Sequence, residues 1–173
     1  GLFDVGLPAG TPEATLEAAF RVGTSAGCVI ATDWRIYLAF STSEVIALGY
    51  GADPATLVEA RFGLDAFPPR AWEAFADGRW HHIAVTIDTA AGVARFSLDG
   101  ATSPELEMHA APIPGLAAPG WLAIGYGCAD WGLDEVRLYD RALPPALLAE
   151  HAASIARGEP YADRSACGEV PCA

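Results

Sequence analysis

Residues Gly132 to Leu143 read G-L-D-E-V-R-L-Y-D-R-A-L, and upstream Gly78 to Asp88 read G-R-W-H-H-I-A-V-T-I-D. Ile83, Val85 and Ile87 alternate with Ala84 and Thr86, and Val136 and Leu138 flank Arg137. A period of two sends successive side chains to opposite faces of a strand, so both stretches read as strands with one apolar face. The same rhythm extends outward. Leu16, Ala18, Phe20 and Val22 alternate with Thr15, Glu17, Ala19 and Arg21, the pattern of a half-buried strand. Cys28 to Thr32 reads as a short strand, and Ile36 to Phe40 turns at Ser41 to Ser43 into Glu44 to Tyr50, a hairpin. Leu57 to Phe62, Val93 to Leu98 and Trp121 to Tyr126 complete the strands, with Asp99-Gly100 as a tight-turn pair. Pro144 and Pro145 then open one short helix, which carries Leu147, Leu148, His151, Ala152 and Ile155 near one stripe and ends at Gly158. About ten short strands with Gly and Pro turns predict an all-β, antiparallel two-sheet β-sandwich with a single C-terminal helix.

The two opening stretches resemble the signature of the laminin-G-like, concanavalin A-like lectin and glucanase jelly rolls. The resemblance is strongest from Gly78 to Ala152; from Thr15 to Phe62 only the strand rhythm agrees. It implies a jelly-roll topology over residues 1–157, followed by a tail over 158–173. It also implies a first strand lying beside the closing one, for which Gly1 to Gly6 (G-L-F-D-V-G) is the counterpart. Trp80, Ile83, Val85, Val136, Leu138 and Trp131 are expected in the core.

Composition excludes several functions. The 173 residues hold 52% apolar residues, enough for a packed interior. The net charge is −12, from ten Arg and 22 acids with no Lys, so no basic cluster exists to neutralise phosphates, and nucleic acid is excluded as a partner. No apolar run is long enough to insert in a bilayer. Asn and Gln are also missing, which removes Asn-linked glycosylation and side-chain amides as ligands.

Four cysteines, Cys28, Cys128, Cys167 and Cys172, permit three pairings. The C-G-E-V-P-C loop favours Cys167 with Cys172, leaving Cys28 for Cys128. Disulfides point to an oxidising compartment, so the chain is expected to be secreted or at the cell surface. No charged and apolar leader opens the sequence at Gly1, so an export signal is expected to lie outside it.

Candidate sites are sparse. His81 and His82 are neighbours on a strand, face opposite sides and cannot chelate one ion together. The calcium and sugar sites of pentraxin-like and legume-lectin relatives need Gln or Asn and do not carry over. No cofactor is assigned; the residues from which a different calcium site could be built are Asp130, Asp33 or Asp53 with backbone carbonyls, since calcium takes six to eight oxygens. Trp34, Trp72, Tyr126 and Asp130 are the candidates for ligand contact, because an indole stacks on a sugar ring or a protein surface.

No E-x-D-x-E triplet is present to supply an acid and a nucleophile on one strand face, and no G-x-S-x-G elbow, so no catalytic residue is assigned. The resemblance implies a non-catalytic extracellular recognition or adhesion module binding glycan or protein through loops or the concave sheet. The alternatives are a structural subunit of a surface assembly, joined through sandwich edges, and a glycan-active hydrolase or lyase.

Overall fold

The computed structural model describes residues 2–5, 12–23, 27–32, 36–41, 44–50, 57–63, 75–88, 90–103, 106–107, 120–126 and 130–160. Twelve strands lie in these segments: β1 (Leu2–Val5), β2 (Glu13–Arg21), β3 (Gly27–Thr32), β4 (Ile36–Ser41), β5 (Glu44–Tyr50), β6 (Leu57–Gly63), β7 (His81–Asp88), β8 (Val93–Leu98), β9 (Ala101–Thr102), β10 (Leu106–Glu107), β11 (Gly120–Tyr126) and β12 (Gly132–Tyr139). One helix, α1 (Pro145–Ala156), follows. Every pairing is antiparallel. One sheet runs β1-β11-β3-β4-β5-β6 and the other β10-β8-β7-β2-β12, with β9 beside β8. The expected hairpin from Ile36 to Tyr50 is β4 and β5.

The alternation read from the sequence builds the core. Leu16, Ala18 and Phe20 of β2, Ile83, Val85 and Ile87 of β7, and Phe96 and Leu98 of β8 join Leu38 and Phe62 of the first sheet in one buried cluster. Phe62 and Phe96 meet across the sheets with ring centroids 5.9 Å apart. Trp131 belongs to this cluster and stacks on Phe20 at 6.0 Å, as the resemblance implied. A fully buried side chain of this size contributes about 1.5–3 kcal/mol.

Three expectations are corrected. β2 is not half-buried: Thr15, Glu17 and Ala19 on its second face are as deeply buried as Leu16 and Ala18. The cause is α1, which lays Leu148, His151, Ala152 and Ile155 across the outer face of the β2–β7 sheet. Trp80 is likewise not in the sandwich core; it is partly buried on this outer side, against Ala19 and Ile155. Finally, β1 pairs with β11, while β2 takes the place beside the closing strand β12.

The approach to the helix is fixed onto β2. Thr15 Oγ1 donates to the Arg141 carbonyl at 2.9 Å and accepts from the Leu143 N–H at 2.9 Å, and Glu13 accepts from the Ala142 N–H. Pro145 occupies the first helical position, where its missing N–H has no intrahelical partner to lose. At the far end Gly158 takes φ +71°, and the N–H groups of Gly158 and Glu159 return to the carbonyls of Ile155 and Ser154. That paired closure satisfies the last carbonyls and stops the helix.

Candidate functional site

Two features of the outer face carry polar chemistry. The first lies under α1. Glu17 comes from β2, His82 from β7, Tyr139 from the end of β12 and His151 from the helix. Tyr139 donates its hydroxyl to Glu17 Oε1 at 2.6 Å, while His82 Nε2 and His151 Nδ1 both meet Glu17 Oε2 at 3.0 Å. Burial alone would raise the Glu17 pKa, but the hydrogen bonds from His151, His82 and Tyr139 outweigh it and hold the carboxyl at about 2. Burial, then the bond to Glu17, pushes the Tyr139 hydroxyl well above its ordinary value. Among the described residues Glu17, His82 and His151 form the one cluster of three metal-ligand types, with donor atoms mutually within 4.8 Å.

The second feature is a pair of hollows that share Trp80 as a wall, together with Ile155 and Gly158. One, of about 180 Å³, is rimmed by Asp134, Glu135 and Glu159. The other, of about 760 Å³, is lined by Arg79, Arg157, His81 and Asp99. Arg21 lies over the indole, its guanidinium carbon 5.4 Å from the ring centre, an arrangement that fixes the ring plane electrostatically.

Strained backbone shapes both rims. The pairing of β12 with β2 slips between Asp134 and Arg137, and Glu135 in that bulge has φ +49°. Asp134 accepts the Glu135 N–H at 2.8 Å, and Glu135 pairs with Arg137 at 2.5 Å. Simple alternation sends Asp134 and Glu135 to opposite faces; the bulge brings both to one hollow. Across the indole, Asp99 (φ +48°) and Gly100 (φ +81°) form the β8–β9 turn. Asp99 accepts the His82 N–H at 2.9 Å and meets His81 Nδ1 at 2.7 Å, and Asp77 meets His81 Nε2 at 3.1 Å. Burial works against charging His81, but the hydrogen bonds and charges of Asp99 and Asp77 prevail and raise its pKa.

The candidates named from the sequence fall elsewhere. Trp34, Trp72, Asp33 and Asp53 lie outside the described residues, as do Cys128, Cys167 and Cys172. Cys28 and Tyr126 are placed by backbone, in β3 and β11. Asp130 is exposed in the turn before β12, and its carbonyl and carboxylate close over Gly23, where an added Cβ would meet Asp130 Oδ1 at 2.5 Å. His81 and His82 do face opposite sides, one towards Asp77 and Asp99 and the other towards Glu17. Sequence reasoning missed Glu17, Tyr139 and His151 as a group. The available signal was a histidine on the apolar stripe of α1, which needed a buried polar partner on the surface beneath.

Residues 13–149 match the model of the concanavalin A-like lectin/glucanases superfamily. The chain belongs to this family. No curated protein matches the sequence. Among solved structures, the binding domain of botulinum neurotoxin DC in complex with SialylT is similar at a TM-score of 0.62 and 9% identity, over 89% of this chain and 39% of that one. The same domain in complex with rat synaptotagmin II is similar at 0.59 and 8% identity, over 85% and 37%. At these identities the likeness is one of fold, and this family member spans little more than a third of those chains.

Proposed function

We propose that this member of the concanavalin A-like family is a non-catalytic recognition module that holds glycan or protein against Trp80, at the junction of β7, β12 and the end of α1. The observation that carries the reading is the indole standing between two hollows of different polarity, one rimmed by acids and one containing Arg79 and Arg157. A ring with part of its surface open offers a stacking platform, and side-chain carboxylates and guanidinium groups on either side suit the hydroxyls of a sugar or the polar groups of a peptide. The similar toxin domains were captured with SialylT and with synaptotagmin, which is consistent with either ligand class on this fold. A binding role also suits the buried carboxylate: Glu17 is sealed under α1 and saturated by three hydrogen bonds, so it cannot reach a substrate. We assign the module to an extracellular setting.

A glycan array with the intact protein and with Trp80→Ala tests this. Selective retention of some glycans that disappears in a folded Trp80→Ala variant supports the proposal. Retention that survives the substitution places the site elsewhere. A blank array shifts the ligand to protein, to be sought by pull-down with the same pair of proteins.

A further inference from the structure

We propose that Glu17, His82 and His151 form a zinc site that is completed when α1 docks. Glu17 is fully buried, and the groups on it are a phenol and two imidazoles, none of them a fixed cation. A buried carboxylate without a cationic partner is costly, so either a proton shared with an imidazole or a metal ion must balance it. The donor set is that of zinc, which takes imidazole nitrogen at about 2.0–2.1 Å and carboxylate oxygen at about 2.0–2.2 Å.

Geometry agrees. Bonds of that length in a tetrahedron leave ligand atoms about 3.3 Å apart. Both histidine nitrogens stand 3.0 Å from Glu17 Oε2, and all three donor atoms are mutually within 4.8 Å. Admitting the ion requires the imidazoles to turn until all three donors stand at that spacing, with each imidazole shifting its proton to the other ring nitrogen. Tyr139 already grips the second oxygen of Glu17, which orients the carboxylate as an outer-shell partner does in metal sites.

Access dictates when the ion arrives. The three side chains are buried, and one of them rides on the helix that covers the other two. The ion therefore enters before α1 closes, and zinc binding and helix docking become one event.

The test is to refold the full-length chain in zinc sulfate or in EDTA, desalt it, and measure bound metal and the unfolding midpoint. The expected result is one zinc per chain and a higher midpoint than in EDTA. Tyr139→Phe should weaken zinc affinity about 10–100-fold, and His151→Ala should abolish retention while the sheet signal in circular dichroism persists. Refolding in cobalt provides a readout that needs no variant. Visible bands of a tetrahedral nitrogen–oxygen site support the assignment; thiolate charge-transfer bands would place the metal on cysteine and overturn it. A folded chain that retains no zinc, or His151→Ala and His82→Ala proteins that retain it undiminished, also overturns it.

Discussion

Trp80 rests its indole against the bare backbone of Gly132: a Cβ on Gly132 would lie 2.9 Å from Trp80 Cη2 and 3.3 Å from Arg21 Cβ. Gly132→Ala should therefore displace the ring that walls both hollows and loosen the Arg21 stack. The expected cost is about 1–3 kcal/mol, as for other overpacked sites. Binding of any ligand held at Trp80 should fall with it. Gly92→Ala is the control, because Gly92 has φ +68° but nothing within 4 Å and lines neither hollow, so it strains the backbone without moving the indole. Urea unfolding and ligand titration of the two variants should separate them; equal effects on binding would contradict the packing argument.

Tyr139→Phe removes a 2.6 Å hydrogen bond to a buried carboxylate and leaves the packing of the ring almost unchanged. Hydrogen bonds to charged groups contribute about 1.5–3 kcal/mol, so the urea midpoint should drop accordingly with an unaltered slope. Glu17→Leu is expected to cost more, because the imidazoles of His82 and His151 then lose their shared acceptor. A Tyr139→Phe midpoint equal to that of the parent would mean that the phenol does not serve Glu17 in solution.

Gly100 and Gly92 form a matched pair for the docking of α1. Both have positive φ, +81° and +68°, so alanine at either position carries backbone strain of about 1 kcal/mol or more. Only Gly100 lies beneath the helix, where a Cβ would stand 3.2 Å from the Ala149 Cα; around Gly92 the space is open. Gly100→Ala should be the more destabilising, and hydrogen exchange in α1 should accelerate in that variant alone. Uniform exchange in both would show that α1 and the β8–β9 turn are not in contact.

These comparisons also explain what the sequence disclosed. Alternation at Leu16, Ala18, Phe20, Ile83, Val85 and Ile87 located the sheets and the core, because successive side chains of a strand point to opposite faces and the larger apolar ones gather on the face between the sheets. It failed on the second face of β2, where Thr15, Glu17 and Ala19 look like solvent-facing residues. Their burial depends on α1, contributed by a segment more than a hundred residues later, and strand periodicity contains nothing about such a cover. Trp80 was misplaced for the same reason. Glu17 and His151 stand 134 residues apart, and no short-range spacing links them. Asp134 and Glu135 share a hollow through a bulge at Glu135, a one-residue slip that alternation cannot express.

Asp77 offers a prediction with a defined pH window. The backbone N–H of Arg79 donates to its Oδ1 at 2.8 Å, and with further help from His81 and the Arg79 side chain this lowers its pKa from 3.8 to about 2 against a smaller effect of burial. A depressed carboxyl pKa means that the folded form binds its proton more weakly than the unfolded chain does. The contribution of Asp77 is thus complete above about pH 4 and is lost as the pH falls towards 2. Carbon NMR of the aspartate carboxyls should find Asp77 titrating near the bottom of this window, with the Arg79 amide and the His81 ring shifting at the same midpoint. Asp77→Asn should remove that midpoint and free one nitrogen of His81 from its carboxylate, while Asp99 continues to hold the other at 2.7 Å. An Asp77 midpoint at the ordinary aspartate value would mean that the Phe75–Trp80 turn does not hold this hydrogen-bonded form in solution, and the wall of the larger hollow would have to be drawn without it.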